Sequence, residues 1–184
     1  IISVILMFSC KNSYEQEEIK VITDFTNSYL KKEHFEKLEN YKLICSENEK
    51  LDSSNLKIYI SDYLLPISKI KKDKNWLFDG NYSGNDSIIF RNILNSKKFN
   101  ELSYREFNKS EIQLIENYNQ IENYSEKKDY VGIKFSRVCF DENKENAIVL
   151  IEYNINCDKL NISGFERPYL LKKIKEKWNY ITPK

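Results

Sequence analysis

The chain has 184 residues, with 29 Lys plus Arg against 28 Asp plus Glu and a formal net charge of +1. At that length one domain is expected, and it can bury enough apolar surface to fold without disulfides or metals. Charges of both signs are interspersed, so no basic field suited to nucleic acid is expected, and 4 Gly and 3 Pro are too few for a low-complexity or collagen-like chain.

Residues 1–9 read IISVILMFS and carry no charge. A bilayer span needs about 20 apolar residues, so this run is too short; it has the length of the apolar part of a signal peptide. Without a basic stretch or an initiating Met before it, the run reads as the remainder of a trimmed leader. The segment Leu6-Met7-Phe8-Ser9-Cys10 resembles the lipobox of bacterial lipoproteins, where a small residue precedes a cysteine that is acylated through a thioether and becomes the new N-terminus. Ser9 and Cys10 match that pattern, while Met7 and Phe8 are looser than the usual Leu and small residue. The resemblance implies lipid attachment at Cys10. It divides the chain into a residual signal-peptide segment (1–9), a lipidated cysteine with a short tether (10–18) and a single domain (19–184). Acyl chains anchor stably because each buried methylene contributes about 0.8 kcal/mol. The acidic stretch Glu15-Gln16-Glu17-Glu18 fits either of two readings. It is similar to the surface-export signal of Bacteroidota lipoproteins, or it is the acidic first turn of a helix.

From Gln16 to Leu38, Ile19, Ile22, Phe25, Tyr29 and Leu30 recur at steps of three and four, with Lys20, Asp24, Lys31 and Lys32 on the other side. That spacing predicts an amphipathic helix. Leu56, Ile58 and Ile60 alternate with Lys57 and Tyr59, predicting a strand that ends before Pro66. Asp79 to Ser87 (DGNYSGNDS) reads as a turn cluster. Ser110 is read as the N-cap of a second helix, with Ile112, Leu114, Ile115, Tyr118 and Ile121 as its apolar stripe. The last third holds four β-rich runs. Val131–Phe140 and Ala147–Ile155 flank the polar turn Asp141–Asn146; Tyr169–Ile174 and Trp178–Ile181 flank Lys175-Glu176-Lys177. The expected fold is α+β: N-terminal amphipathic helices on one face of a C-terminal antiparallel β-meander of about four strands.

Chemistry-bearing residues are sparse. No two of the four cysteines are spaced C-x-x-C, so Cys45, Cys139 and Cys157 read as small buried apolar residues; excluding Cys10, at most one disulfide is open to them. His34 is the single histidine and lies among Lys and Glu, which excludes HExxH-type zinc sites and reads as solvated. Asp79-x-Asn81-x-Ser83-Gly84 matches the first half of a calcium loop, but Asp86 occupies the aliphatic position and Phe90 the position of the bidentate Glu. A plain surface loop is expected there. No G-x-S-x-G, P-loop or G-x-G-x-x-G occurs. No catalytic, cofactor or metal site is therefore expected, and Trp178 reads as core.

The C-terminal stretch resembles the tail of small uncharacterised lipoproteins of Bacteroidota, through Phe135, Ser136, Ala147, Gly164, Leu171, Lys172, Lys173 and Trp178. The closing Trp hairpin is also similar to the last strand of NTF2-like domains. Asp86-Ser87-Ile88 resembles the O-glycosylation acceptor of exported Bacteroidota proteins, which would modify Ser87. The resemblance implies an outer-membrane, lipid-anchored protein, with periplasmic and surface-facing display both open. It says nothing of activity; the lipobox-like segment together with the absence of a catalytic set is read as a non-catalytic binding or interaction domain with the membrane as partner. The alternatives are an immunity protein against a secreted toxin, and an NTF2-like small-molecule hydrolase, which needs a deep polar pocket.

Overall fold

The computed structural model describes residues 2–29, 57–114, 119–120, 130–157 and 160–184. In chain order its helices and strands are α1 (Ile2–Tyr29), β1 (Lys57–Leu65), α2 (Ile67–Asp73), α3 (Gly84–Leu94), α4 (Lys97–Glu101), β2 (Arg105–Glu106), β3 (Asn119–Gln120), β4 (Tyr130–Ser136), β5 (Cys139–Phe140), β6 (Asn146–Cys157), β7 (Leu160–Ile174) and β8 (Lys177–Ile181). Short 3-10 turns lie at Asn75–Phe78 and Lys109–Glu111.

The sheet runs β2-β1-β4-β6-β7-β8, with β3 beside β1 and β5 beside β6. Neighbours from β4 to β8 pair antiparallel, but β1 pairs parallel with both β3 and β4. The class is α+β with a mixed sheet, which corrects the expectation of an antiparallel meander alone. A parallel pair needs a long crossover, and α2, α3 and α4 lie in the connection between β1 and β4.

Helices cover both faces of the sheet, not one. On the first face Val21, Ile22 and Phe25 of α1 pack with Ile58, Ile133, Phe135, Val149, Ile151 and Trp178. On the second, Ile67, Phe78, Phe90, Ile93 and Phe99 pack with Ile148, Leu150 and Leu170. Side chains alternate along a strand, so Ala147, Val149, Ile151 and Tyr153 of β6 face α1 while Ile148 and Leu150 face α3. Burial on both faces is the reason β6 reads as a nearly unbroken apolar run. Each such side chain stabilises the fold by about 1.5–3 kcal/mol relative to exposure.

The single run expected over Val131–Phe140 is two strands. Phe135 pairs with Ile151 and Cys139 with Ile148, so three residues oppose two and form a bulge at Ser136–Val138. The Ser136 hydroxyl fills the gap: it accepts from Leu150 N at 2.8 Å and donates to Arg137 O at 2.9 Å. The extra residue shifts the alternation, so Cys139 joins the second face although Phe135 faces the first.

Three other expectations change. The helix from Ser110 does not form over the described residues: Asn108 caps a 3-10 turn, and the chain leaves it at Ile112. Ile112 is buried and Leu114 packs against the same core, Asn119–Gln120 forms β3 beside β1, and Ile115, Tyr118 and Ile121 lie outside the described residues. The loop expected over Asp79–Ser87 stops at Ser83, where α3 starts. Finally, α1 begins at Ile2, and residues from Tyr14 onward pack on the sheet, so the docked part of the chain starts five residues ahead of Ile19.

Candidate functional site

Cys10 lies within α1, four residues ahead of Tyr14. Tyr14 is where α1 meets the sheet. Its hydroxyl donates to Val138 O at 2.5 Å, and its ring meets Phe140 edge-on with centroids 5.1 Å apart. The Lys98 ammonium lies 4.8 Å from the ring centroid. Burial pushes the Tyr14 hydroxyl well above its ordinary pKa, and the nearby Glu18 carboxylate pushes it further. Tyr14 therefore remains a neutral donor.

One turn on, Glu18 is fully buried on the sheet side of α1. Its Oε1 accepts from Arg137 Nε at 2.9 Å and from Val138 N at 2.8 Å; its Oε2 accepts from Arg137 Nε at 3.2 Å. The carboxylate thus takes an amide of the bulge. Arg137, only 11% exposed, donates its remaining reach to Ser103 O at 2.9 Å. Arg105 Nε is 3.5 Å from Glu18 Oε2 but makes no hydrogen bond, so that contact is Coulombic; its Nη1 pairs with Glu15 at 3.3 Å. Both guanidinium groups are held by the acidic stretch of α1.

Glu17, on the flank of α1, accepts from the Trp178 indole N–H at 2.7 Å and pairs with Lys173 at 3.1 Å. Burial alone would raise the Glu17 carboxyl, but the indole N–H and the ammonium outweigh it and hold the carboxyl below its ordinary value. The same contact raises Lys173. Asp24 accepts from Trp178 N at 2.9 Å and pairs with Lys20 at 3.0 Å. Three acidic side chains of α1 therefore tie it to the bulge between β4 and β5, to β7 and to β8.

Three surface depressions stand out among the described residues. A cleft of ≈ 740 Å³ runs along α1 beside β2, bounded by Glu15, Tyr63, Tyr104 and Arg105. A second, ≈ 540 Å³, lies beside Tyr14 between Ile89, Phe140 and Lys97. A third, ≈ 190 Å³, is lined by Asn75, Asn81, Ser87 and Arg91. Among the described residues no group of three or more His, Cys, Asp or Glu is placed to hold a metal ion.

The sequence-level candidates scatter. Asp79 and Asn81 do not form a cation loop with Asp86: Asn81 Nδ2 donates to Leu77 O, and Asp86 pairs with Lys172 at 2.5 Å from the first turn of α3. Phe90 is core. Ser87 is half-buried in α3 and Ile88 is exposed. Trp178 is fully buried, and Cys139 is a free buried thiol whose pKa burial pushes up to about 11. His34 and Cys45 lie outside the described residues, and Cys157 ends β6. The Glu18–Arg137 pair was not anticipated. Its signal was present, since Glu18 falls on the stripe Tyr14, Glu18, Val21, Phe25 at steps of four, three and four.

No helix among the described residues is long and apolar enough to cross a membrane. No family model, curated protein or solved structure matches the chain.

Proposed function

We propose that this chain is an exported lipoprotein, anchored at the outer membrane through an acylated Cys10, whose folded domain is a non-catalytic binding module. The observation that carries the reading is the Leu6-Met7-Phe8-Ser9-Cys10 segment, which lies in α1 just ahead of the part that docks from Tyr14. The acyl tail would replace the apolar leader and leave a charged, water-compatible domain tethered to a bilayer.

The binding-module part is supported by where the polar groups go. Glu17, Glu18, Asp24, Arg137 and Lys173 are engaged in fixing α1 to the sheet. The space between α1 and the sheet is filled by Phe25, Phe135 and Trp178, each fully buried. An NTF2-like hydrolase would need a deep polar cavity at that place. In this reading β4, β6, β7 and β8 are the antiparallel scaffold that α1 braces.

The test is cell fractionation with Cys10→Ala. The unaltered chain should sediment with the membrane and leave it only with detergent, whereas Cys10→Ala should be recovered soluble and folded. Retention of folded Cys10→Ala in the membrane fraction would refute the anchor.

A further inference from the structure

We propose that the end of the domain carrying Tyr14, Ile88, Ile89, Lys97, Lys98 and Lys144 lies against the phospholipid headgroups of the membrane that holds Cys10. The inference rests on the acylation proposed above and goes beyond it, because an anchor alone permits a domain held away from the bilayer in any orientation.

Tether length decides between the two. Cys10 to Tyr14 is four residues, which span about 6 Å as helix and at most about 14 Å fully extended. Tyr14 cannot drift, since its hydroxyl is bonded to Val138 O and its ring is packed on Phe140. The next turn is locked by Glu17 and Glu18. Acyl chains entering the bilayer at Cys10 therefore bring the cleft beside Tyr14 to the headgroup layer.

The chemistry of that end fits an anionic interface. The cleft floor is apolar, from Ile89, Ile93 and Phe140, and its rim carries Lys97, Lys98 and Lys144. Ile88 is 59% exposed one helical turn ahead of Asn92, on the outward side of α3. Lysines beside an apolar patch are the composition that adsorbs to anionic lipid. Glu101 pairs with Lys97 at 3.4 Å, and two further carboxylates line the cleft. Asp141 is turned back on its hairpin, accepting from Glu145 N and from Asn146 N and Nδ2. Glu142 is exposed and opposes the lysines.

The experiment places the acylated full chain in vesicles of phosphatidylcholine and phosphatidylglycerol whose acyl chains carry bromine, a contact quencher of indole fluorescence. Trp178 is buried and supplies a constant background. In the double variant Trp76→Phe, Ile88→Trp, the indole introduced at position 88 should be quenched roughly twofold or more, as expected for a side chain seated in the interface. Neutralising the rim with Lys97→Gln, Lys98→Gln and Lys144→Gln should abolish most of the quenching at position 88 without releasing the protein. Vesicle flotation and the mass of the Cys10 peptide report the anchor separately. An acylated, floating protein with no quenching at position 88 would overturn the docking and leave the anchor standing. Quenching that survives rim neutralisation would overturn the role of the lysines. An unmodified Cys10 in a protein that does not float would remove the anchor and the docking with it.

Discussion

Removing the Glu18 carboxylate should be among the most damaging single changes in the domain. Glu18 is fully buried, accepts two hydrogen bonds from Arg137 and takes the Val138 amide at the bulge. Glu18→Ala would leave a guanidinium that is 11% exposed without its counter-charge, and a buried amide without an acceptor. Breaking one partner of a buried pair costs about 3–5 kcal/mol, a large share of the roughly 5–15 kcal/mol that holds a domain of this kind together. Glu18→Gln retains an acceptor for Val138 N but loses the charge, so its cost should be smaller, about 1–3 kcal/mol. Arg137→Met alone should also be destabilising, whereas Glu18→Ala with Arg137→Met should cost clearly less than the two singles summed, because the desolvation of both charges is relieved together. Urea unfolding followed by circular dichroism, read as a double-mutant cycle, measures these terms. A Glu18→Ala midpoint within error of the parent, or a strictly additive cycle, would refute the reading of Glu18 as the residue that fixes α1 to the sheet.

Other consequences are equally direct. Ser136→Ala removes the hydroxyl that bridges Leu150 N and Arg137 O, and should cost about 1–3 kcal/mol in the same unfolding assay; a neutral effect would mean that the bulge closes without it. The β7–β8 turn places Lys175 at φ 49 and Glu176 at φ 62, a conformation that suits Asn-Gly. Lys175→Asn with Glu176→Gly should therefore stabilise by about 1–2 kcal/mol, raising the thermal midpoint; an unchanged midpoint would count against strain there. Glu17 has a lowered folded pKa, so its contribution is present above its ordinary value of 4.5 and is lost as pH falls through the lowered value. Lys173 is raised, so its share persists through neutral pH and fades only as pH climbs above 10.5. The urea midpoint of the parent should exceed that of Glu17→Gln at pH 7, and the gap should narrow in acid. A gap independent of pH would mean the side chain acts through packing instead.

Much of the framework was legible because burial leaves period-two and period-four marks. Ile58 and Ile60 alternate as a strand covered on one face by α1, and Ile22 and Phe25 sit on the helical stripe that covers them. The runs at Ala147 and Tyr169 are rich in β-branched and aromatic residues and are bounded by polar turns, so strands were expected at both. Parallel pairing of β1 was not legible: nothing local in Lys57–Leu65 encodes the direction of a partner 71–73 residues away in the chain. Helix α3 was hidden by its own start, since Gly84-Asn85-Asp86-Ser87 has the composition of a loop although Ile89, Phe90, Ile93 and Leu94 carry a helical spacing. The stretch after Ser110 misled in the opposite sense. Its apolar spacing is helical, but at the described start the chain leaves a 3-10 turn extended at Ile112, whose side chain packs in the core. Of the site, the resemblance of Leu6–Cys10 to a lipobox is read from sequence, whereas the Glu18 network needs three segments of chain and becomes visible only when they meet at the bulge.

The most direct test of the central claim is intact-mass and peptide mass spectrometry of the protein extracted from native membranes. The account predicts a mature chain beginning at Cys10, with residues 1–9 removed and the thiol and α-amino group carrying acyl mass. A chain retaining Ile1–Ser9 with Cys10 as an unmodified thiol would contradict it.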